Sequence, residues 1–216
     1  MQAGAVKDPV SGFSHLAGLA LALVAVPCLL LFAHAKHDTG RLVTSSAYGL
    51  SLIALYAASS AYHLVVAEDR VSRRLRLLDH IAIFLLIAGT CTPFFYRAFD
   101  GTTRVAMLSL VWALAAAGIC LEITWRRAPR LLYTAIYVAM GWLVVVRWTM
   151  VVHALPAHVL ALLVAGGITY TLGAVVYASK RPDPFPRVFG FHEIWHIFVL
   201  AGSGLHFAAV VTLANA

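Results

Sequence analysis

Two histidines, His192 and His196, stand four residues apart near the start of the last apolar stretch of the chain. On an α-helix this spacing puts two side chains on one face, one turn apart, where both imidazoles can bind one metal ion. Residues 192–196 also read H-E-x-x-H, the zinc-protease motif, in which Glu193 would be the general base. The sequence therefore predicts a metal site whose chemistry depends on which other residues reach it.

The composition of the chain is that of a membrane protein. Of its 216 residues, 62% are hydrophobic and only 12% are charged, and the mean hydropathy is +0.86. A soluble domain carries roughly 25% charged residues. Because no polar segment is long enough to fold separately, we expect a single integral membrane domain over residues 1–216. The net charge of +7 does not indicate a nucleic-acid partner, since Lys and Arg collect in the cytoplasmic loops of membrane proteins.

Seven apolar segments follow one another along the chain, each close to the roughly 20 residues that a membrane-spanning helix needs. The predicted fold class is therefore all-α, a bundle of seven transmembrane helices. The predicted segments are 14–35, 42–66, 77–97, 104–124, 131–153, 157–178 and 191–214.

The distribution of positive charge predicts how the bundle lies in the membrane. Counted on alternate sides of the seven segments, eleven Lys and Arg residues fall on the side of the N-terminus and five on the other. Positively charged loops stay in the cytoplasm. We therefore expect a cytoplasmic N-terminus and an external C-terminus.

With this arrangement, ionisable residues from three helices meet at the cytoplasmic end. The second segment ends near His63, the third begins just before Asp79, and the seventh begins with His192 and His196. An Asp at the centre of a membrane helix costs roughly 2.5–3.5 kcal/mol on insertion scales, so such residues face partners or water. Ser59 lies one helical turn before His63 and shares its face.

At these residues the chain resembles the progestin and adipoQ receptor family and, within it, the bacterial hemolysin III branch. The matching pieces are Ser59-x-x-x-His63, Asp79 sixteen residues after His63, and His192-x-x-x-His196 in the final segment. The resemblance spans nearly the whole chain.

An N-terminal piece fits the same family loosely. The family has E-x-x-N-x-x-x-H, and this chain has Asp8 and Ser11 in place of Glu and Asn, followed by His15.

The resemblance implies a multi-pass protein of the bacterial inner membrane with an intramembrane zinc ion. It implies His63, His192 and His196 as the zinc ligands, with Asp79 holding the water on the metal and Ser59 nearby. Three neutral imidazoles leave the ion its full charge and an open fourth position, as in catalytic zinc sites. Asp79 could then accept a proton as general base, and Ser59 could assist as a hydrogen-bond partner.

The leading hypothesis is a zinc-dependent hydrolase of a lipid amide or ester, with a membrane lipid reached from the cytoplasmic leaflet. A non-catalytic membrane sensor or receptor with a structural zinc needs the same ligands. A pore-forming cytolysin, suggested by the name of the branch, should show a polar stripe along several helices. A metalloprotease would use Glu193 and needs a further ligand, yet no acidic residue follows His196.

The other histidines and the cysteines are interpreted as structural. His80 and His206 point away from the predicted ligand faces on their helices. The remaining four histidines lie near loops on the opposite side, and the three cysteines lie in apolar segments without metal-ligand spacing. These residues are His34, His37, His153, His158, Cys28, Cys91 and Cys120.

Overall fold

The computed structural model describes residues 6–125, 128–186 and 188–215, and regular secondary structure in these ranges is helical. The helices are α1 (Pro9–Ala35), α2 (Thr39–Leu64), α3 (Asp69–Ala98), α4 (Gly101–Thr124), α5 (Arg130–Gly141), α6 (Trp148–Ala154), α7 (Ala157–Ser179) and α8 (Phe191–Asn215). A short 3₁₀ helix, Leu143–Arg147, connects α5 to α6.

Seven spans long and apolar enough to cross a membrane are found in the described residues, and they confirm the predicted all-α, seven-span bundle. The first five spans begin earlier than their apolar segments, most clearly α1 at Pro9 and α3 at Asp69. Hydropathy marks the part of a helix that lies in lipid, whereas the helix itself continues through polar residues into water. Arg126, Arg127 and Arg187, which contribute to the charge bias, lie outside the described residues, and the orientation remains a prediction.

The fifth span is interrupted, which the apolar pattern does not predict. It consists of α5, the 3₁₀ helix and α6, which together cover Arg130–Ala154. The break follows Gly141, and the Trp142 indole nitrogen donates to the Thr171 hydroxyl of α7 across 2.9 Å. Gly141 and the valines that follow it have low helix propensity, so little free energy is lost when the α-helix is interrupted here. The hydrogen bond from Trp142 to Thr171 stabilises the interrupted form.

Helix α3 lies at the centre of the bundle. It packs against α2, α4, α5 and α8, and more than half of its apolar window is buried. Phe84, Phe94 and Phe95 are fully buried along its length. Gly89 allows α2 to approach closely, because a Cβ at this position would collide with the Ser51 hydroxyl. Small residues at such crossings drive helix association in membranes through close packing.

Several helix ends meet at one end of the bundle, which we call the histidine end. There α1, α3, α5 and α8 begin and α2 and α7 end. The Asp8 amide donates to the His63 carbonyl across 2.9 Å, which joins the start of α1 to the end of α2. The Arg130 guanidinium donates to the Ala178 carbonyl across 3.2 Å, which joins the start of α5 to the end of α7.

Candidate metal centre

Three histidines converge at the histidine end, as the sequence predicts. His63 comes from the last turn of α2, and His192 and His196 come from the first two turns of α8. The Nε2 atom of His192 lies 3.4 Å from that of His63 and 3.2 Å from that of His196. His63 and His196 are buried and His192 is half-buried, so the three nitrogens form a compact, largely enclosed group.

The spacing of the His192 nitrogen from the other two fits a tetrahedral metal ion. With metal–nitrogen bonds of about 2.0–2.1 Å, two ligands of a tetrahedral zinc ion lie about 3.3–3.4 Å apart. Hydrogen bonding alone satisfies the group poorly, because each neutral imidazole carries one proton for two nitrogens. A cation bound by the lone pairs of all three Nε2 atoms would satisfy these nitrogens without further protons. The cluster could therefore hold a metal ion.

Asp8 fixes the orientation of His63. The Nδ1 atom of His63 donates to the Asp8 carboxylate across 3.0 Å. This bond puts the ring proton on Nδ1 and leaves the Nε2 lone pair free for a metal. A carboxylate behind a metal-binding histidine has this role in many metal sites, where it also raises the basicity of the ligand.

The glutamate of the H-E-x-x-H motif has both of its oxygens engaged elsewhere. Glu193 Oε1 accepts from the Ser11 hydroxyl of α1 across 3.0 Å. Glu193 Oε2 accepts from the Gly190 amide just before α8, across 2.8 Å. Glu193 therefore joins α1 to the start of α8 and orders the turn that presents His192, and these contacts favour a structural role for Glu193.

His15 of α1 also lies at the cluster. Its ring stacks on that of His196 with a centroid distance of 3.9 Å and a tilt of 35°. It meets Tyr56 of α2 edge-on at 5.2 Å. Both nitrogens of His15 are buried without a hydrogen-bond partner among the described residues. Its ring thus forms part of the wall against which His196 is held.

Asp79 and Ser59 lie on the wall of a cavity that reaches the cluster. The cavity has a volume of about 330 Å³ and is also lined by His192 and His196. Both Asp79 and Ser59 are buried, and the Ser59 hydroxyl lies close to the Asp79 carboxylate. The structure therefore brings four of the five predicted site residues to the wall of one cavity, and the fifth, His63, lies against His192.

Away from the cluster, the cavity is apolar. Its lining follows one face of α3 from His80 through Ile87 and Cys91 to Phe94. At a rise of 1.5 Å per residue, the stretch from His80 to Phe94 spans about 20 Å. A narrow apolar space of this length fits a hydrocarbon chain, and its volume lies in the range typical of small-ligand sites.

The two histidines that the sequence excludes as ligands have other partners. His80 Nδ1 donates to Glu122 of α4 across 2.9 Å. His206 Nε2 donates to the Leu163 carbonyl of α7 across 3.1 Å, deep in the bundle. Both side chains line the cavity.

Sequence reasoning did not assign roles to Asp8, Ser11 or His15. The spacing of Asp8, Ser11 and His15 could have indicated a common role, because residues three and four apart share one face of the first helical turns. In the structure Asp8 contacts His63, Ser11 contacts Glu193 and His15 contacts His196. The pattern thus marks the face of α1 that supports the metal centre.

Fold and site together define a class: a seven-span membrane protein with a three-histidine site at one end of an intramembrane cavity. The family described as "Haemolysin-III related" matches residues 4–207 of the chain. The chain therefore belongs to the haemolysin III family, which confirms the resemblance, and it is a multi-pass integral protein of the bacterial inner membrane.

Relatives of the chain come from bacteria and from animals. Hemolysin-3 of Bacillus cereus is 36% identical over 95% of this chain and 91% of its own length. The Hemolysin-3 homolog of Bacillus subtilis is 33% identical over 95% of this chain and 94% of its own length. The human monocyte to macrophage differentiation factor is 25% identical over 88% of this chain and 79% of its own length.

Proposed function

We propose that this protein is a zinc-dependent hydrolase that cleaves an amide or ester bond in a membrane lipid. The observation that carries the proposal is the position of the three Nε2 atoms at the end of an apolar cavity whose wall includes Asp79 and Ser59. A purely structural metal site needs neither a cavity beside it nor an acid in that cavity.

Each residue has a role that follows from its contacts. His63, His192 and His196 would hold the metal ion, which when bound supplies Lewis-acid activation of water at an open coordination position. Asp79 would accept the proton of the attacking water and return it to the leaving group. Ser59, on the adjoining wall, would orient Asp79 by hydrogen bonding. Asp8 would hold His63 in the required tautomer.

The cavity supports a lipid as the substrate. An acyl chain placed along α3 between His80 and Phe94 would bury its methylene groups, at about 0.8 kcal/mol each. The carbonyl at the top of this chain would then lie beside Asp79 and the three histidines. With the predicted orientation, the substrate would come from the cytoplasmic leaflet.

The test combines metal analysis with turnover by purified protein in detergent. We expect about one zinc per chain, loss of that zinc in His196→Ala, and hydrolysis of at least one long-chain amide or ester lipid. Asp79→Asn should keep the metal and lose most of the turnover, because an amide cannot serve as a base. Glu193→Gln should keep turnover, since Gln can still accept from Gly190.

Two outcomes would contradict the proposal. Unchanged turnover in Asp79→Asn would remove the assigned base. Loss of turnover in Glu193→Gln with normal activity in Asp79→Asn would favour the metalloprotease chemistry of the H-E-x-x-H motif instead.

A second candidate is a non-catalytic membrane sensor or receptor with a structural metal. It is favoured by the origin of the ligands, because one histidine lies on α2 and two lie on α8, so the ion would tie these helices together. This function predicts a large fall in melting temperature on metal removal and no turnover of any lipid.

A pore-forming activity has less support from the described residues. The predicted site residues gather at the histidine end, and aromatic side chains such as Phe94 and Phe95 line the cavity elsewhere. Leakage of dye from liposomes treated with purified protein would support a pore-forming activity.

A further inference from the structure

The mouth of the cavity carries two arginines from different helices. Arg76 lies in α3 and Arg130 begins α5, and both line the cavity beside His80. No carboxylate lies within 4.0 Å of either guanidinium in the described chain, because the ion pairs found there involve other cations. Two arginines without acidic partners beside a ligand cavity are suited to binding an anion.

Arg76 shares its face of α3 with the residues of the site. Arg76, Asp79, His80, Ile83 and Ile87 recur at helical spacing and all line the cavity. Arg76 thus lies about 5 Å along the axis from Asp79, toward the end of the helix, while the apolar residues lie on the other side of Asp79. A ligand with its chain between Ile83 and Phe94 would therefore present its headgroup to Arg76.

Arg130 is held in place by its surroundings. Its guanidinium donates to the Ala178 carbonyl across 3.2 Å and lies 5.0 Å from the centre of the Tyr177 ring and 5.6 Å from that of Phe191. Arginine has five N–H donors in a fixed plane, so one bond to a carbonyl leaves several donors for a ligand. The contacts with two rings fix the direction of that plane before any ligand binds.

We infer that Arg76 and Arg130 form an anionic headgroup site, and that the protein prefers lipids with a phosphate or carboxylate close to the scissile bond. The inference rests on the proposed lipid ligand and names its headgroup. Glu122 also lines the cavity; its Oε1 is paired with His80 and its Oε2 has no hydrogen-bond partner among the described residues, so the arginines offset this carboxylate as well as binding the ligand.

The test measures binding separately from turnover, in an Asp79→Asn background. The probes are N-palmitoyl ethanolamine and its O-phosphate, in neutral detergent, followed by tryptophan fluorescence because Trp142 and Trp195 line the cavity. We expect the phosphate lipid to bind about ten-fold or more tightly, as one charge-assisted hydrogen bond implies. Arg76→Gln and Arg130→Gln should each remove most of this preference, and Arg76→Gln should leave the affinity for the neutral lipid unchanged.

Arg73→Gln and Arg74→Gln are the matched controls. Both residues are exposed on α3 within one turn of Arg76 but do not line the cavity. An equal loss of preference in the controls would overturn the inference, since it would show general attraction to a basic surface. Competition by inorganic phosphate as strong as that by the lipid phosphate would overturn it as well, because the acyl chain would then play no part.

The results also separate this inference from the proposed hydrolase. If the protein shows a headgroup preference that depends on Arg76 and Arg130 but hydrolyses no lipid, the headgroup site is supported and the proposed hydrolase activity is contradicted. Hydrolysis of both probes without any headgroup preference would keep the hydrolase and overturn the headgroup site.

Discussion

Asp8 and His63 are joined twice, once through the backbone and once through their side chains. The Asp8 amide donates to the His63 carbonyl across 2.9 Å, and His63 Nδ1 donates to the Asp8 carboxylate across 3.0 Å. Two hydrogen bonds of opposite direction fix both the position and the rotation of the imidazole. The segment before α1 therefore helps to position the histidine cluster, although none of the three clustered histidines belongs to it.

Replacing Asp8 with Ala should weaken metal binding without unfolding α1. Loss of such a partner costs roughly 10–100-fold in metal affinity. Helix α1 should persist, because the Asp8 side chain makes no capping hydrogen bond. The measurement is metal retention against a series of chelators. Lys7→Ala is the control, since exposed Lys7 lies 4.0 Å from the Asp8 carboxylate and such pairs contribute little. Equal metal retention in the two variants would contradict the role of Asp8.

Replacing Glu193 with Ala should lower stability more than replacing Ser11 with Ala. The first change removes two hydrogen bonds to a carboxylate, each worth about 1.5–3 kcal/mol, whereas the second leaves the bond from Gly190 in place. Melting temperatures of the two single variants and the double variant measure the coupling. Additive effects would show that Ser11 and Glu193 do not interact in the membrane-embedded protein.

Narrowing the cavity at Cys91 should shorten the lipid chains that the protein accepts. Cys91 is buried and lines the apolar part of the cavity, so Cys91→Phe would exclude methylene groups worth about 0.8 kcal/mol each. We expect weaker binding of palmitoyl lipids and little change for octanoyl lipids. Cys120→Phe, on the exposed face of α4, should behave as the unmodified chain. The same chain-length profile in both phenylalanine variants would argue against an acyl-chain cavity.

Gly166→Ala should destabilise the bundle, because a Cβ there would collide with the ring of His206. His206 cannot move away freely, since it donates to the Leu163 carbonyl. We expect a loss of about 1–3 kcal/mol, as is usual for overpacking. Gly204→Ala meets no atom within 4 Å and should be neutral or stabilising by up to about 1 kcal/mol. Thermal melting in detergent compares the two, and an equal response would contradict the packing at Gly166.

The sequence predicts the parts of this protein that depend on regular patterns. Apolar length gives the seven spans, and helical spacing gives the shared face of His192 and His196. Alternation of helix direction then places His63 and Asp79 at the same end. The structure has His63, Asp79, His192 and His196 at this end. These predictions succeed because each needs only the period of the helix and the number of membrane crossings.

Other parts depend on contacts between distant residues. Ser11 and Glu193 are 182 positions apart, and nothing in either local sequence names the other as a partner. The H-E-x-x-H motif alone suggests a general base at Glu193, and it gives no indication that the two oxygens of Glu193 accept from Ser11 and Gly190. The break after Gly141 also depends on a distant group, the Thr171 hydroxyl, so the apolar pattern of the fifth span predicts one continuous helix.

The interrupted fifth span has a mechanical consequence. It is the least buried of the seven described spans, and Gly141, Trp142 and Val144 on it line the cavity. Moving a segment between two short helices breaks fewer backbone hydrogen bonds than bending a continuous helix of the same length. We therefore expect this wall to be the most easily deformed side of the cavity, and the hydrocarbon chains of the proposed lipid substrate to pass between the bilayer and the interior there, sideways through the bundle.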